Sequence, residues 1–126
     1  MKGVPADLRY LETHEWVKID DDVITVGITD FAQKQLSELT FVELPEVGDS
    51  FEADDEVAVI ESVKAASDIC APVEGEIIEV NDSLEDAPEL INSDAFGEGW
   101  VYKMRVKDPA ALSELLSPDE YAKLLP

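Results

Sequence analysis

Thiols and imidazoles are almost missing from this chain. Cys70 and His14 are the sole cysteine and histidine among 126 residues. One thiol excludes an internal disulfide, a Cys-x-x-Cys redox pair and a multi-thiol zinc site, and one imidazole excludes a His-based metal cluster. Basic residues are scarce too: 9 Lys and Arg stand against 30 Asp and Glu, a formal charge of −21. Nucleic acid and anionic membrane surfaces are therefore poor partners, because holding phosphates takes clustered cations. No apolar run approaches the ~20 residues of a membrane span. Gly-rich phosphate loops, a Gly-x-Ser-x-Gly elbow and the glycine-containing spacing of a calcium loop are all absent. A chain this poor in catalytic equipment points to a carrier or a binding module.

The apolar share is 45%, enough for one compact domain with a modest core. The opening Met1-Lys2-Gly3-Val4-Pro5-Ala6-Asp7 has neither the apolar core of a secretion signal nor the Arg-rich character of an organelle presequence, so the expected location is the cytoplasm. Acids spread through Asp20-Asp21-Asp22, Asp54-Asp55-Glu56 and Glu85-Asp86 read as a solvated surface. Self-repulsion on that scale is relieved where salt shrinks the Debye length to ~3 Å at 1 M. The even spread favours a salt-loving source with concentrated internal salt over a basic partner on one acidic face.

Local patterns predict a mostly β domain. Glu15–Ile19 and Val23–Ile28 alternate about the turn Asp20-Asp21-Asp22, which reads as a hairpin. Thr29-Asp30 caps a short helix through Leu36. Strands follow at Phe41–Leu44, Gly75–Val80 and Trp100–Val106. At the C-terminus, Asp108-Pro109 and Ser117-Pro118-Asp119-Glu120 each place a cap before a proline. The second adds the acid of a capping box, so two short helices close the chain. Val47–Phe51 and Glu74–Ile78 are similar turn-then-strand units on either side of Lys64, a faint repeat that suits two sheets built from related halves.

The segment around Lys64 gives two conflicting readings. Val59, Val63, Ala66 and Cys70 recur at helical spacing, and no Gly, Asn or Pro marks a turn between Glu61 and Ser67. Pattern alone predicts an amphipathic helix over Val57–Cys70, with Lys64 as an ordinary surface lysine.

Yet Glu61-Ser62-Val63-Lys64-Ala65-Ala66-Ser67-Asp68 closely resembles the lipoate-attachment site of the H proteins of the glycine cleavage system. Further matches run in family order through Thr13–Val17, Val26–Gln33, Phe41–Gly48, Ala71–Glu76, Pro88–Asn92 and Gly97–Trp100. A biotin carrier would instead place Met on both sides of the lysine, where this chain has Val63 and Ala65. The resemblance implies a single lipoyl-carrier domain over 1–126. Its fold would be a flattened barrel-sandwich hybrid of two sheets with peripheral short helices, and Lys64 would sit at the tip of a tight β-hairpin. A free lysine amine is mostly protonated at neutral pH, so a lipoate-attaching enzyme must supply a base. Once acylated, Lys64 becomes a long tether that raises the local concentration of lipoic acid's dithiolane at each partner.

The implied partners are a pyridoxal-phosphate glycine decarboxylase (P protein), an aminomethyltransferase (T protein) and a flavin-dependent dihydrolipoyl dehydrogenase (L protein). The chain itself would be a non-catalytic carrier, taking an aminomethyl group from the first to the second and electrons to the third. The lone Cys70 cannot replace the dithiol and reads as a small packing residue. Glu15, Asp68 and Thr13 fall in the matching motifs and are candidates for a cleft that parks the arm, since a carboxylate and hydroxyls suit an amine. The plainer reading makes them solvated acids and a turn residue. His14 reads as a structural hydrogen-bonding residue, Trp16 and Trp100 as core or rim packing. Asp94-Ala95-Phe96 departs from the Pro and Tyr usual in the family, which implies a less rigid loop. A lipoyl relay serving other lipoate-dependent complexes, and an unmodified acidic binding domain, are the alternatives.

Overall fold

The structure is a computed structural model and describes residues 4–125. Met1 to Gly3, part of the stretch read above for targeting character, lie outside the described residues. In chain order the strands are β1 (Arg9–Tyr10), β2 (Glu15–Asp20), β3 (Val23–Ile28), β4 (Leu39–Glu43), β5 (Ser50–Phe51), β6 (Glu56–Ser62), β7 (Ala66–Cys70), β8 (Gly75–Val80) and β9 (Tyr102–Val106). The helices are α1 (Asp30–Leu36), α2 (Ser83–Asp86), α3 (Leu90–Ser93), a 3₁₀ turn (Pro109–Glu114) and α4 (Pro118–Ala122). One sheet has six strands in the order β1-β2-β3-β9-β8-β5, and a second has three in the order β4-β6-β7. All the strand pairs are antiparallel. This is the mainly β, two-sheet class that the sequence implies.

Alternation decides which residues meet between the sheets. Val17, Ile24, Val26, Ile28, Ile77, Tyr102 and Met104 from the large sheet pack with Leu39, Val42, Ile60 and Ile69 from the small one. A second cluster of Val4, Leu8, Tyr10, Trp16 and Tyr121 fixes the C-terminus. There Tyr121 stacks on Tyr10 at 4.6 Å, and its hydroxyl lies 2.8 Å from His14 Nδ1 and 2.7 Å from Thr29 Oγ1. Trp16 lies across Gly27, its register partner, so closely that a Cβ at Gly27 would sit 2.7 Å from the indole.

The local expectations meet the structure with a few differences. Thr29 caps α1 by accepting from Ala32 N, and Ser117 with Glu120 forms the full capping box of α4. Asp108 caps a 3₁₀ helix by accepting from Ala110 N. Strand β9 begins at Tyr102, two residues later than expected, while Val101 N bonds Val26 O. No local pattern predicts the short helices α2 and α3, which fit the peripheral helices that the resemblance implies. The two repeat units do not head separate sheets; they pair with each other, Ser50 opposite Glu76 and Phe51 opposite Gly75, at one edge of the large sheet.

Candidate functional site

The helix that periodicity predicts over Val57–Cys70 is not formed; β6 and β7 make a hairpin instead. The reason lies in which apolar residues are inside. Val57, Ala58, Ile60 and Ile69 are buried, whereas Val59 and Cys70 are half-buried and Val63 and Ala66 exposed. The residues at helical spacing are therefore those the strands turn away from the core.

The turn is closed by a serine. Ser62 N donates to Ala65 O at 2.8 Å, and the Ser62 hydroxyl accepts from Lys64 N and Ala65 N at 3.1 Å each while donating to Ala65 O. A short hydroxyl side chain thus does the work of turn backbone groups, as Ser does in such motifs. Val63 N reaches across to Glu38 O at 3.2 Å and anchors the tip to the start of β4. Lys64 is exposed at this tip and takes part in none of the four ion pairs among the described residues. Its neighbours Ala65 and Ala66 leave the amine open to approach. A projecting, unpaired lysine on a pinned turn fits a covalently attached arm.

Strand β7 is an edge of the small sheet. Since Ser62 and Ala65 form a hydrogen-bonded pair, alternation along the antiparallel ladder directs the backbone groups of Ala66, Asp68 and Cys70 away from β6. At Cys70 both groups are taken by the large sheet. Cys70 N donates to Glu15 Oε2 at 2.9 Å, and Tyr102 Oη donates to Cys70 O at 3.3 Å. Glu15 is 1% exposed, and its other oxygen accepts from the Thr13 hydroxyl. Burial raises its pKa above the ordinary carboxyl value, against the opposing effect of the Thr13 and Cys70 bonds. Burial likewise raises the Cys70 thiol, helped by the nearby Glu15 and Asp68 charges.

Of the three parking candidates, the structure thus brings Thr13 and Glu15 into direct contact at the Cys70 end of β7. Asp68 is exposed on the same strand, between them and the tip. From Ala66 to Cys70 the strand covers about 13 Å at ~3.3 Å per residue. A cavity of about 590 Å³ opens beside Thr13, bordered by Asp54, Pro72, Asp108 and Leu115; neither Glu15 nor Asp68 lines it. Sequence reasoning missed Ser62, Tyr102 and the backbone of Cys70. The divergent loop at Asp94 is tied down: Asp94 accepts from Glu98 N at 3.0 Å, and Ala95 O accepts from Trp16 Nε1 at 2.8 Å.

The family model for glycine cleavage H-protein matches residues 8–126. The chain belongs to the glycine cleavage H-protein family. Among curated relatives, the glycine cleavage system H protein of Carboxydothermus hydrogenoformans is 51% identical, with 99% of this chain and 96% of that one covered. The probable H protein of Natronomonas pharaonis is 58% identical over 94% and 93%. The crystal structure of the Mycobacterium marinum H protein superposes with a TM-score of 0.88 at 39% identity, covering 95% of this chain and 97% of that one. The two-sheet architecture of this chain is therefore the H-protein fold. The matched relatives come from varied organisms, so family membership carries no sign of a salt-loving source.

Proposed function

We propose that this H-family chain is the lipoyl carrier of a glycine cleavage system and that lipoic acid is attached to Lys64. The observation that carries the reading is Lys64 itself: an exposed lysine, in none of the ion pairs among the described residues, on a turn pinned by Ser62 and by Glu38 O. When bound, the lipoyl group supplies a disulfide that accepts a one-carbon amine and two electrons. The chain's own part is to project, tether and shelter. Its partners in this reading are the glycine decarboxylase, the aminomethyltransferase, the dihydrolipoyl dehydrogenase and the lipoate-attaching enzyme. The chain acts as a carrier and not as a catalyst.

Sheltering falls to the Cys70 end of β7. An amine delivered there passes exposed Asp68 and reaches exposed Thr13, behind which Glu15 is buried with both oxygens bonded. A carboxylate already desolvated by its surroundings attracts a cation more strongly than one in water, which supports Glu15 as the anchor of an arm-parking cleft. Among the described residues no helix is long and apolar enough to cross a membrane, and we place the chain in the cytoplasm. The −21 charge supports a role in concentrated salt.

The test is intact mass of protein from its native host, with peptide mapping around Lys64. A lipoyl-sized increment on Lys64 supports the carrier. An unmodified Lys64 in cells that make lipoate refutes it. Lys64→Arg is expected to abolish carrier activity with the thermal midpoint unchanged; loss of folding or retained activity would contradict the assignment.

A further inference from the structure

Strand β4 contains an irregularity whose effect is to expose a phenylalanine. Leu39 pairs with Ser62 and Phe41 with Glu61, so two steps along β4 match one step along β6 and Thr40 is the extra residue. Without this bulge Phe41 would share the inward face of Leu39. With it, Leu39 and Val42 are buried and Phe41 is 48% exposed. A half-exposed Phe forgoes part of the roughly 1.5–3 kcal/mol that full burial of such a side chain supplies. Bulges beside functional sites commonly re-aim a side chain in this way.

Phe41 emerges next to the hairpin that carries Lys64. Its register partner is Glu61, and Val63 follows Glu61 by two residues, just past the end of β6, where its N–H bonds Glu38 O at 3.2 Å. Val63 is itself 66% exposed and adjoins Lys64. Glu43, Glu61 and Asp68 alternate onto the same outer face, and β4, β6 and β7 contain no Lys or Arg. The face thus carries two exposed apolar side chains among carboxylates, beside the lysine.

We propose that Phe41 and Val63 form the docking seat for the enzyme that acylates Lys64, which meets them with an apolar socket rimmed by arginine or lysine. This rests on reading Lys64 as the lipoylation site. Reach singles out that enzyme. Before acylation only a lysine side chain projects beyond the hairpin, so the enzyme must settle on the sheet to bring its acyl donor to Nζ. Partners of the finished arm act on its far end, which the carrier reading places at the Cys70 end of β7 and away from this seat. In the acylation step the deprotonated Lys64 amine forms an amide with the carboxyl carbon of adenylylated lipoate. The acyl–phosphate bond breaks, AMP leaves with the electron pair, and the amine's proton passes to the enzyme.

The experiment uses the full apo chain with a lipoate–protein ligase, lipoate and ATP, following product by intact mass. Affinity of the ligase for Lys64→Arg backgrounds is measured by calorimetry. Phe41→Ser should raise the KM for the chain about tenfold, the scale of losing one aromatic anchor, with kcat little changed. Val63→Ser should act in the same direction, and both should weaken the calorimetric Kd. Val63 is exposed and at a turn, so its variant reports even if Phe41→Ser folds poorly by circular dichroism. Unchanged KM and Kd in both variants would overturn the docking seat. An equal loss when fully lipoylated Phe41→Ser is reduced by dihydrolipoyl dehydrogenase would overturn the assignment to the acylating enzyme. Absence of acylation in the unsubstituted chain would instead remove the carrier reading, and this inference with it.

Discussion

Replacing Glu15 by glutamine separates its charge from its hydrogen bonds. The carboxylate is 1% exposed and holds Cys70 N at 2.9 Å. A carboxylate accepting such bonds gains about 1.5–3 kcal/mol from each, while burying the charge costs several kcal/mol even after relaxation. The raised pKa means that desolvation exceeds what the bonds return. A carboxyl raised in the folded state contributes stability that is full below its unfolded value, near 4.5, and is lost as pH rises through the folded value. Glutamine keeps an oxygen for Cys70 N, and its amide can donate to the Thr13 hydroxyl, without the charge. Glu15→Gln should therefore match or fall below the parent at pH 4 and gain on it as pH rises, levelling off above the folded value. Each unit of displacement corresponds to about 1.4 kcal/mol. Glu15→Ala instead orphans the Cys70 N–H and opens a void, a loss of about 2–4 kcal/mol, or roughly 8–16 °C for a domain of this size. The assay is thermal unfolding from pH 4 to 8 in high salt, read as the difference between variants so that the other carboxylates cancel. A Gln-minus-Glu difference that stays flat with pH, or falls, would refute desolvation as the governing term.

Ser62→Ala removes the acceptor of two turn amides; it should cost about 0.5–1.5 kcal/mol and slow acylation of Lys64 by lipoate–protein ligase, and an unchanged rate would show that the turn does not need that hydroxyl. Tyr121→Phe breaks the contacts to His14 and Thr29 and should lower stability by about 1–3 kcal/mol in denaturant melts. Burial lowers the His14 pKa, so its share of stability is full above pH 6.5 and is lost as pH falls through the folded value; His14→Asn, which tolerates the φ of 73°, should remove that acid-side loss from pH-dependent melts. With a charge of −21 the thermal midpoint should climb steadily in KCl up to 2 M, whereas a midpoint flat in salt would mean that self-repulsion is already negligible.

What could be read from the residues alone was local. The β2–β3 hairpin, the Thr29 cap and the Ser117–Glu120 box each depend on side chains within a few positions of one another, and each stands where predicted. The lysine hairpin was hidden because its helical spacing came from outward-facing residues and its turn from a serine rather than glycine or asparagine. Family resemblance supplied what periodicity could not. The link from Glu15 to Cys70 joins strands 55 residues apart, and no short pattern encodes it. The Thr40 bulge left no usable trace: it shows only in Leu39 and Val42 both facing inward at a separation of three, where a regular strand would have put Phe41 with Leu39.

These features divide the labour between the two sheets. The large sheet is stiffened by its long pairings and carries the C-terminal helix on Tyr121. The small sheet has three strands and two edges, an arrangement that would be weak alone. Its β7 edge is made part of the large sheet's structure by Glu15 and Tyr102, at Cys70, while toward Lys64 the outward backbone groups of the same strand have no partner among the described residues. Fixing one end of a hairpin to a rigid body and leaving the other exposed aims the lysine without enclosing it. A fully covered edge would have hidden the amine from the enzyme that acylates it. A fully free edge would have left both the direction of the arm and the sheltered end of β7 undefined. The buried carboxylate is costly in isolation, but it sets where the pinned part of the strand stops and the accessible part begins.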